Sequence, residues 1–155
     1  MKSKMNEKGI TLVELLAALV LFGIIAVLIW KFFFQAIDFS DRAISKNQLQ
    51  QEANLIVNTI QQLHTKSTIL FITIVEPDID KFGSKIEVGY STKENPTKVK
   101  YEYFERGNIR YKINEPISSN PGNFFNFDIS LKSEKKPSIY FDTKTTFSKL
   151  SAKPK

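Results

Sequence analysis

Cysteine is absent from this 155-residue sequence, histidine occurs once, and arginine only three times against nineteen lysines. Without cysteine no disulfide staples the fold and thiol chemistry is excluded, a state that suits an exported protein and a cytosolic one equally. His64 is the only histidine and closes a helical segment, and no Ser/His/Asp or Cys/His constellation emerges around it. No glycine-rich phosphate loop occurs. The run Glu76-Pro77-Asp78-Ile79-Asp80 alternates acids as a calcium loop would, but it lacks the glycine and the distal bidentate glutamate. The sequence therefore reads as a non-enzyme with no cofactor and no metal. The scarcity of arginine, the residue with a bidentate fork for phosphate, leans toward a solubilising lysine surface.

What is present is distributed unevenly. The chain has room for one modest domain beside a membrane segment. The net charge of +6 sits mostly in the C-terminal part, where residues 65–155 hold sixteen Lys/Arg against eleven Asp/Glu. From Ile10 to Trp30 all but Thr11, Glu14 and Gly23 are strongly apolar. As a helix these twenty-one residues span about 31 Å, close to the hydrocarbon thickness of a bilayer. Lys2, Lys4 and Lys8 precede the run, which predicts a cytoplasmic N-terminus. Trp30 and Phe32-Phe33-Phe34 suit the far interface, with Lys31 snorkelling. A secretory signal peptide would be shorter and end in small residues, which Trp30-Lys31-Phe32 does not offer. An ordinary signal anchor explains length and orientation. It gives no reason for Glu14, a carboxylate costing about 2.5–3.5 kcal/mol inside a membrane helix, nor for Gly9 at the basic/apolar boundary.

The stretch Lys8-Gly9-Ile10-Thr11-Leu12-Val13-Glu14 and the run behind it resemble the processing site of type IV prepilins and pseudopilins. The resemblance implies that prepilin peptidase cuts between Gly9 and Ile10 and methylates the new N-terminus at Ile10. Many family members carry Phe or Met where this chain has Ile10, which bears on methylation more than on cleavage. Glu14 becomes the fifth mature residue, one turn from the Ile10 amine. In the family this carboxylate pairs with the N-terminal amine of a neighbouring subunit and sets the register of a growing filament; an intramolecular pair would neutralise it without any assembly role. The implied partners are prepilin peptidase, other pilin-like subunits, membrane lipid and an inner-membrane assembly platform. The implied location is a single-pass cell-membrane protein with its C-terminal domain outside, at the cell surface after assembly.

Between Phe34 and Lys66 there is no proline or glycine. Leu49, Ala53, Ile56, Val57, Ile60 and Leu63 fall on one helical face, and Gln50, Gln51, Asn54, Asn58, Gln61 and Gln62 on the other. This predicts that the membrane helix continues into an amphipathic half, about 80 Å in all. Phe39-Ser40-Asp41 offers a break, and His64 is expected to cap carbonyls or face solvent. Beyond His64 the period becomes 2, predicting strands at Thr68–Val75, Lys85–Tyr90, Thr97–Phe104, Asn108–Ile113, Phe125–Lys132 and Ser138–Phe147. The turns expected between them lie at Glu76-Pro77-Asp78, Phe82-Gly83-Ser84, Asn95-Pro96, Asn120-Pro121-Gly122 and Lys136-Pro137.

The fold class is α+β: a long N-terminal helix packed on a small antiparallel sheet. Its divisions are a leader at 1–9, a transmembrane helix at 10–33, the amphipathic continuation at 34–66, a β domain at 67–150 and a basic tail at 151–155. Parity predicts a hairpin through Glu105-Arg106-Gly107 that pairs Tyr103 with Ile109, Tyr101 with Tyr111 and Val99 with Ile113, with Gly107 left-handed. Its outer face would carry Lys98, Lys100 and Lys112, with Glu102 opposite Arg110.

The function expected is that of a structural subunit assembled into a pilus or pseudopilus. Lysine- and isoleucine-rich composition without cysteine leans toward a DNA-uptake (competence) system, and the short Lys-rich β domain toward a minor subunit. A type II secretion pseudopilin, a type IV minor pilin and a plain anchored surface protein stand as alternatives. So does a DNA-binding tip subunit, whose contacts would be Lys98, Lys100, Arg110 and Lys112, although Lys also blunts sheet edges and Glu102 and Glu134 interrupt the basic surface.

Overall fold

The computed structural model describes residues 11–115, 117 and 124–149. The chain divides into two compact units, Met1–Asp41 and Arg42–Lys155. One helix, α1 (Leu12–Lys66), contributes to both. Its hydrogen bonding runs through Phe39-Ser40-Asp41, so the break offered there is not used. In the first unit the large apolar side chains of α1 stand 43–75% exposed, from Leu12 to Phe39.

In the second unit, α1 supplies Leu49, Ala53, Ile56 and Ile60, all nearly fully buried, while Gln50, Gln51, Asn54, Asn58, Gln61 and Gln62 are exposed. Each such buried Leu or Ile contributes about 1.5–3 kcal/mol. α1 gives way without a loop to β1 (Ser67–Val75), followed by β2 (Lys85–Thr92) and β3 (Asn95–Glu105). These form one antiparallel sheet in the order β1-β2-β3. A second antiparallel sheet has the order β4-β5-β6, from β4 (Ile109–Ile113), β5 (Phe124–Ser133) and β6 (Tyr140–Ser148). All six expected strands are present, in the α+β layout expected. The turn expected at Asn120-Pro121-Gly122 lies outside the described residues, as do residues 151–155. The turn expected at Asn95-Pro96 falls instead at Lys93-Glu94, and Pro96 lies near the start of β3. There an edge strand can dispense with its missing N–H.

The single sheet and the Gly107 hairpin need correcting. Among the described residues β3 pairs with β2, not with β4. Glu102 lies opposite Val88, and Arg110 opposite Lys132. The tyrosine face of β3, expected inside, is not the core face. Phe104 points inward instead, at 5% exposure, and Tyr101 and Tyr103 stand half in water. No glycine among the described residues has a positive φ; the left-handed positions are Glu76 (52°) and Lys81 (65°), at either end of the acidic turn. The two sheets are joined by a bridge in which Gly83 N–H donates to the Tyr111 carbonyl at 2.8 Å and Tyr111 N–H to that of Gly83 at 3.0 Å. A Cβ at Gly83 would overlap the Ile74 side chain and the Val75 carbonyl, so the bridge requires glycine.

His64 is likewise corrected. It is 1% exposed, its ring edge-on to Phe125 at 4.9 Å and near Phe147 at 6.5 Å. The last turn of α1 runs into β1 with both sheets close by, so this residue is core and not a solvated cap.

The expected apolar face of α1 also omits Glu52, three residues beyond Leu49, which is 3% exposed. Its Oε1 accepts from the Tyr111 hydroxyl at 3.1 Å, and its Oε2 forms an ion pair with Arg106 Nε. Burial pushes the Tyr111 phenol up, reinforced by the Glu52 charge. Arg106 follows β3 directly, so this pair ties the chain leaving sheet 1 to the helix.

A buried carboxylate stripped of its cation costs about 3 kcal/mol or more, whereas a neutral isostere keeps an acceptor for Tyr111. Arg106→Ala is therefore expected to destabilise the protein by about 3 kcal/mol and Glu52→Gln by about 1 kcal/mol. The double variant should recover much of the Arg106→Ala loss. Urea titration of the three variants checks the order; Arg106→Ala at or below the cost of Glu52→Gln would refute it.

Candidate processing and assembly site

Gly9 and Ile10, the expected cleavage and methylation positions, lie outside the described residues, with the rest of the 1–9 leader. The described site begins at Thr11, immediately before α1. Helix formation here is supported by a run rich in Leu and Ala and free of proline, and Gly23, which costs about 1 kcal/mol against Ala, does not interrupt it. The first turn is closed by side chains. Thr11 N–H donates to Glu14 Oε2 at 2.9 Å, the Thr11 hydroxyl donates to the same oxygen at 3.0 Å, and Glu14 N–H donates to Thr11 Oγ1 at 3.3 Å. Thr11 carbonyl accepts the first helical bond, from Leu15 N–H at 3.1 Å. With Thr11 as N-cap and Glu14 three residues later, this is a reciprocal capping box.

The box adds to the reading of Glu14. The carboxylate sits where helix N-termini favour negative charge, and it satisfies donors that the helix start leaves open. Its signature, Thr-x-x-Glu ahead of an apolar run, was legible in the sequence as a helix start; the sequence reading above assigned Glu14 only to the Ile10 amine. α1 contains an eighteen-residue window long and apolar enough to cross a membrane, with none of it buried in the protein.

The four basic candidates do not form one stripe. Lys98 and Lys100 are on β3 and exposed; Arg110 and Lys112 are half-buried on β4, in the other sheet. Arg110 is held by Glu134 at 2.7 Å. Lys112 joins a groove of about 1050 Å³ between β1 and β4, with Lys81, Phe82, Lys132 and Tyr140 among its lining. The Lys132 ammonium lies 4.1 Å from the Phe82 ring centroid and that of Lys112 lies 5.5 Å from it. The acidic turn closes this groove on one side. Asp78 Oδ1 accepts from Phe82 N–H at 2.8 Å, and Oδ2 pairs with Lys132 at 3.5 Å. The Phe82 N–H first, and Lys132 after it, hold the Asp78 carboxyl below the usual carboxylate range. Among the described residues no group of three or more His, Cys, Asp or Glu could hold a metal.

Residues 4–30 match the model of the prokaryotic N-terminal methylation motif. The chain thus carries the signature of type IV pilins and pseudopilins, on an apolar N-terminal helix followed by small antiparallel sheets. No curated protein and no solved structure matches it. The motif implies a structural subunit rather than an enzyme, processed by prepilin peptidase and assembled with other pilin subunits. With the apolar helix it is consistent with membrane anchoring.

Loss of an N-cap costs about 1 kcal/mol, near a fivefold change in local opening. Thr11→Ala, in micelles, is expected to speed exchange of the Glu14 amide about fivefold while amides beyond the second turn stay unchanged. Equal exchange in the two proteins would show that the box contributes nothing.

Proposed function

We propose that this chain is a minor pilin-like subunit, cut by prepilin peptidase after Gly9, methylated at Ile10 and recruited into a pseudopilus of a DNA-uptake system. The observation that carries the reading is Glu14: the one carboxylate in the otherwise apolar, unburied stretch of α1 from Leu12 to Trp30, within a matched prepilin motif. Cleavage would create an α-amine at Ile10, one turn before Glu14. A carboxylate in an apolar setting is tolerable when paired. The capping box holds it in its own helix, and a neighbour's α-amine would supply the opposite charge that Thr11 lacks. In this reading residues 10–33 span the membrane, residues 34–66 continue the helix, and 67–150 form the exported β domain ahead of the basic tail at 151–155. The N-terminus would be cytoplasmic, and the growing filament would take the subunit from the assembly platform to the cell surface. A type II secretion pseudopilin or a type IV minor pilin would use the same N-terminal chemistry; lysine-rich composition without cysteine favours DNA uptake.

Co-expression with a prepilin peptidase tests the core of this reading. The wild type should lose the mass of residues 1–9, and Gly9→Ala should stay full length. Glu14→Gln should be processed normally yet fail to enter sheared filaments. Equal masses for wild type and Gly9→Ala would defeat the processing step; filaments containing Glu14→Gln at wild-type levels would defeat the assembly role.

The groove favours a second reading, a DNA-contacting subunit at the filament tip. Lysines interleaved with Phe82 and Tyr140 are the combination that holds a single strand by charge and stacking. Gel shifts of the full chain with oligo-thymidine should weaken steeply as salt rises, and Lys81→Glu/Lys112→Glu should abolish retardation. No retardation at low salt removes this reading without touching the first.

A further inference from the structure

The outer face of sheet 1 carries an aromatic patch that neither reading uses. Side chains alternate along a strand, so Tyr101 and Tyr103 stand on the face opposite Phe104, at 50% and 52% exposure. Their rings are 6.4 Å apart with planes only 14° from parallel. Phe71 reaches the Tyr101 ring from β1, at 6.2 Å. It does so by lying across Gly89, which is opposite both Phe71 and Tyr101 in the strand register. A Cβ at Gly89 would overlap the Phe71 ring. The Lys85 ammonium lies 5.5 Å from the Tyr103 ring. Three rings from the two strands that flank β2 are thus held in position before any ligand arrives, which lowers the entropy lost on binding. Cross-strand packing accounts for Phe71 and Tyr101; Tyr103, opposite Glu87 on β2 and with the Lys85 ammonium near its ring, still keeps half of its surface in water.

Charge narrows the ligand. Glu87 and Glu105 flank Tyr103 on this face, with Lys85 opposite Glu105, whereas Lys98 and Lys100 project from the other face of β3. Two carboxylates against the one Lys85 ammonium leave these rings in a net negative setting that disfavours a phosphate backbone, and carboxylates accept hydrogen bonds strongly. A ligand suited to such a surface has a flat apolar face for the rings and hydroxyl donors around its edge. A pyranose sugar has both.

We propose that Phe71, Tyr101 and Tyr103, with Glu87 and Glu105, form a binding platform for a neutral oligosaccharide. The pyranose C–H faces lie on the tyrosine rings and the sugar hydroxyls donate to the carboxylates. The proposal is independent of processing at Gly9, and its outcome leaves that reading unchanged.

The full chain in detergent micelles is titrated with chitohexaose and with maltohexaose, following the Tyr101 and Tyr103 ring resonances. At least one oligosaccharide is expected to bind saturably and shift both rings; which one distinguishes a β-linked from an α-linked glycan. Tyr101→Thr/Tyr103→Thr, a strand-compatible replacement, is expected to weaken binding at least about tenfold. Tyr103→Phe should bind within about twofold of wild type. Should the double variant fail to fold, Glu87→Gln/Glu105→Gln keeps the rings and should weaken binding about fivefold. No saturable binding of either sugar overturns the proposal, as does binding that survives both double variants. Binding of oligo-thymidine in place of either sugar also overturns it, assigning the patch to nucleic acid.

Discussion

A helix satisfies its own backbone hydrogen bonds and so can pass from one solvent to another. The described structure is arranged around two successive patterns carried by the one uninterrupted helix α1. Up to Phe39 its large apolar side chains are exposed, and from Leu49 onward one face is buried. One element carries two patterns. The first pattern, from Leu12 to Trp30, is apolar all round except for a carboxylate at the start, and the second is amphipathic, with glutamine and asparagine facing water. The β sheets answer only to the second pattern. Their buried residues meet Leu49, Ala53, Ile56 and Ile60, and the helix runs into β1 with no loop between them.

Two acids on this helix show how environment sets a role. Glu14 lies at the N-terminus, where open N–H groups need acceptors, and Thr11 makes the exchange reciprocal. Glu52 lies on the buried face, where the cost of desolvation is met by Arg106 and Tyr111. Glu14 answers local backbone needs. Glu52 joins segments more than fifty residues apart and belongs to the architecture.

Glu52 also bears on the separation of the sheets. β3 ends at Glu105, and Arg106 then reaches the helix, so the chain leaves sheet 1 and begins β4 in sheet 2. A tight hairpin at Gly107 would have kept β3 and β4 together and turned the tyrosines inward. With Phe104 inside, the tyrosine face is left in water beside Glu87 and Glu105, and the basic residues of the two strands are parted.

What the sequence by itself determined is the local part: the apolar run, the helix face, the six strands, the Gly9–Glu14 motif and, in the Thr-x-x-Glu spacing, the helix cap. Each rests on residues within one or two turns of each other, where periodicity and capping chemistry act directly. Pairing was beyond it. Tyr101 and Phe104 are both acceptable inward residues of a strand, and alternation cannot say which face meets the helix. His64 and Glu52 read as polar positions until Phe125, Tyr111 and Arg106 are brought around them. Contacts between residues far apart in the chain chose among local patterns of nearly equal merit, and only the tertiary structure holds those contacts.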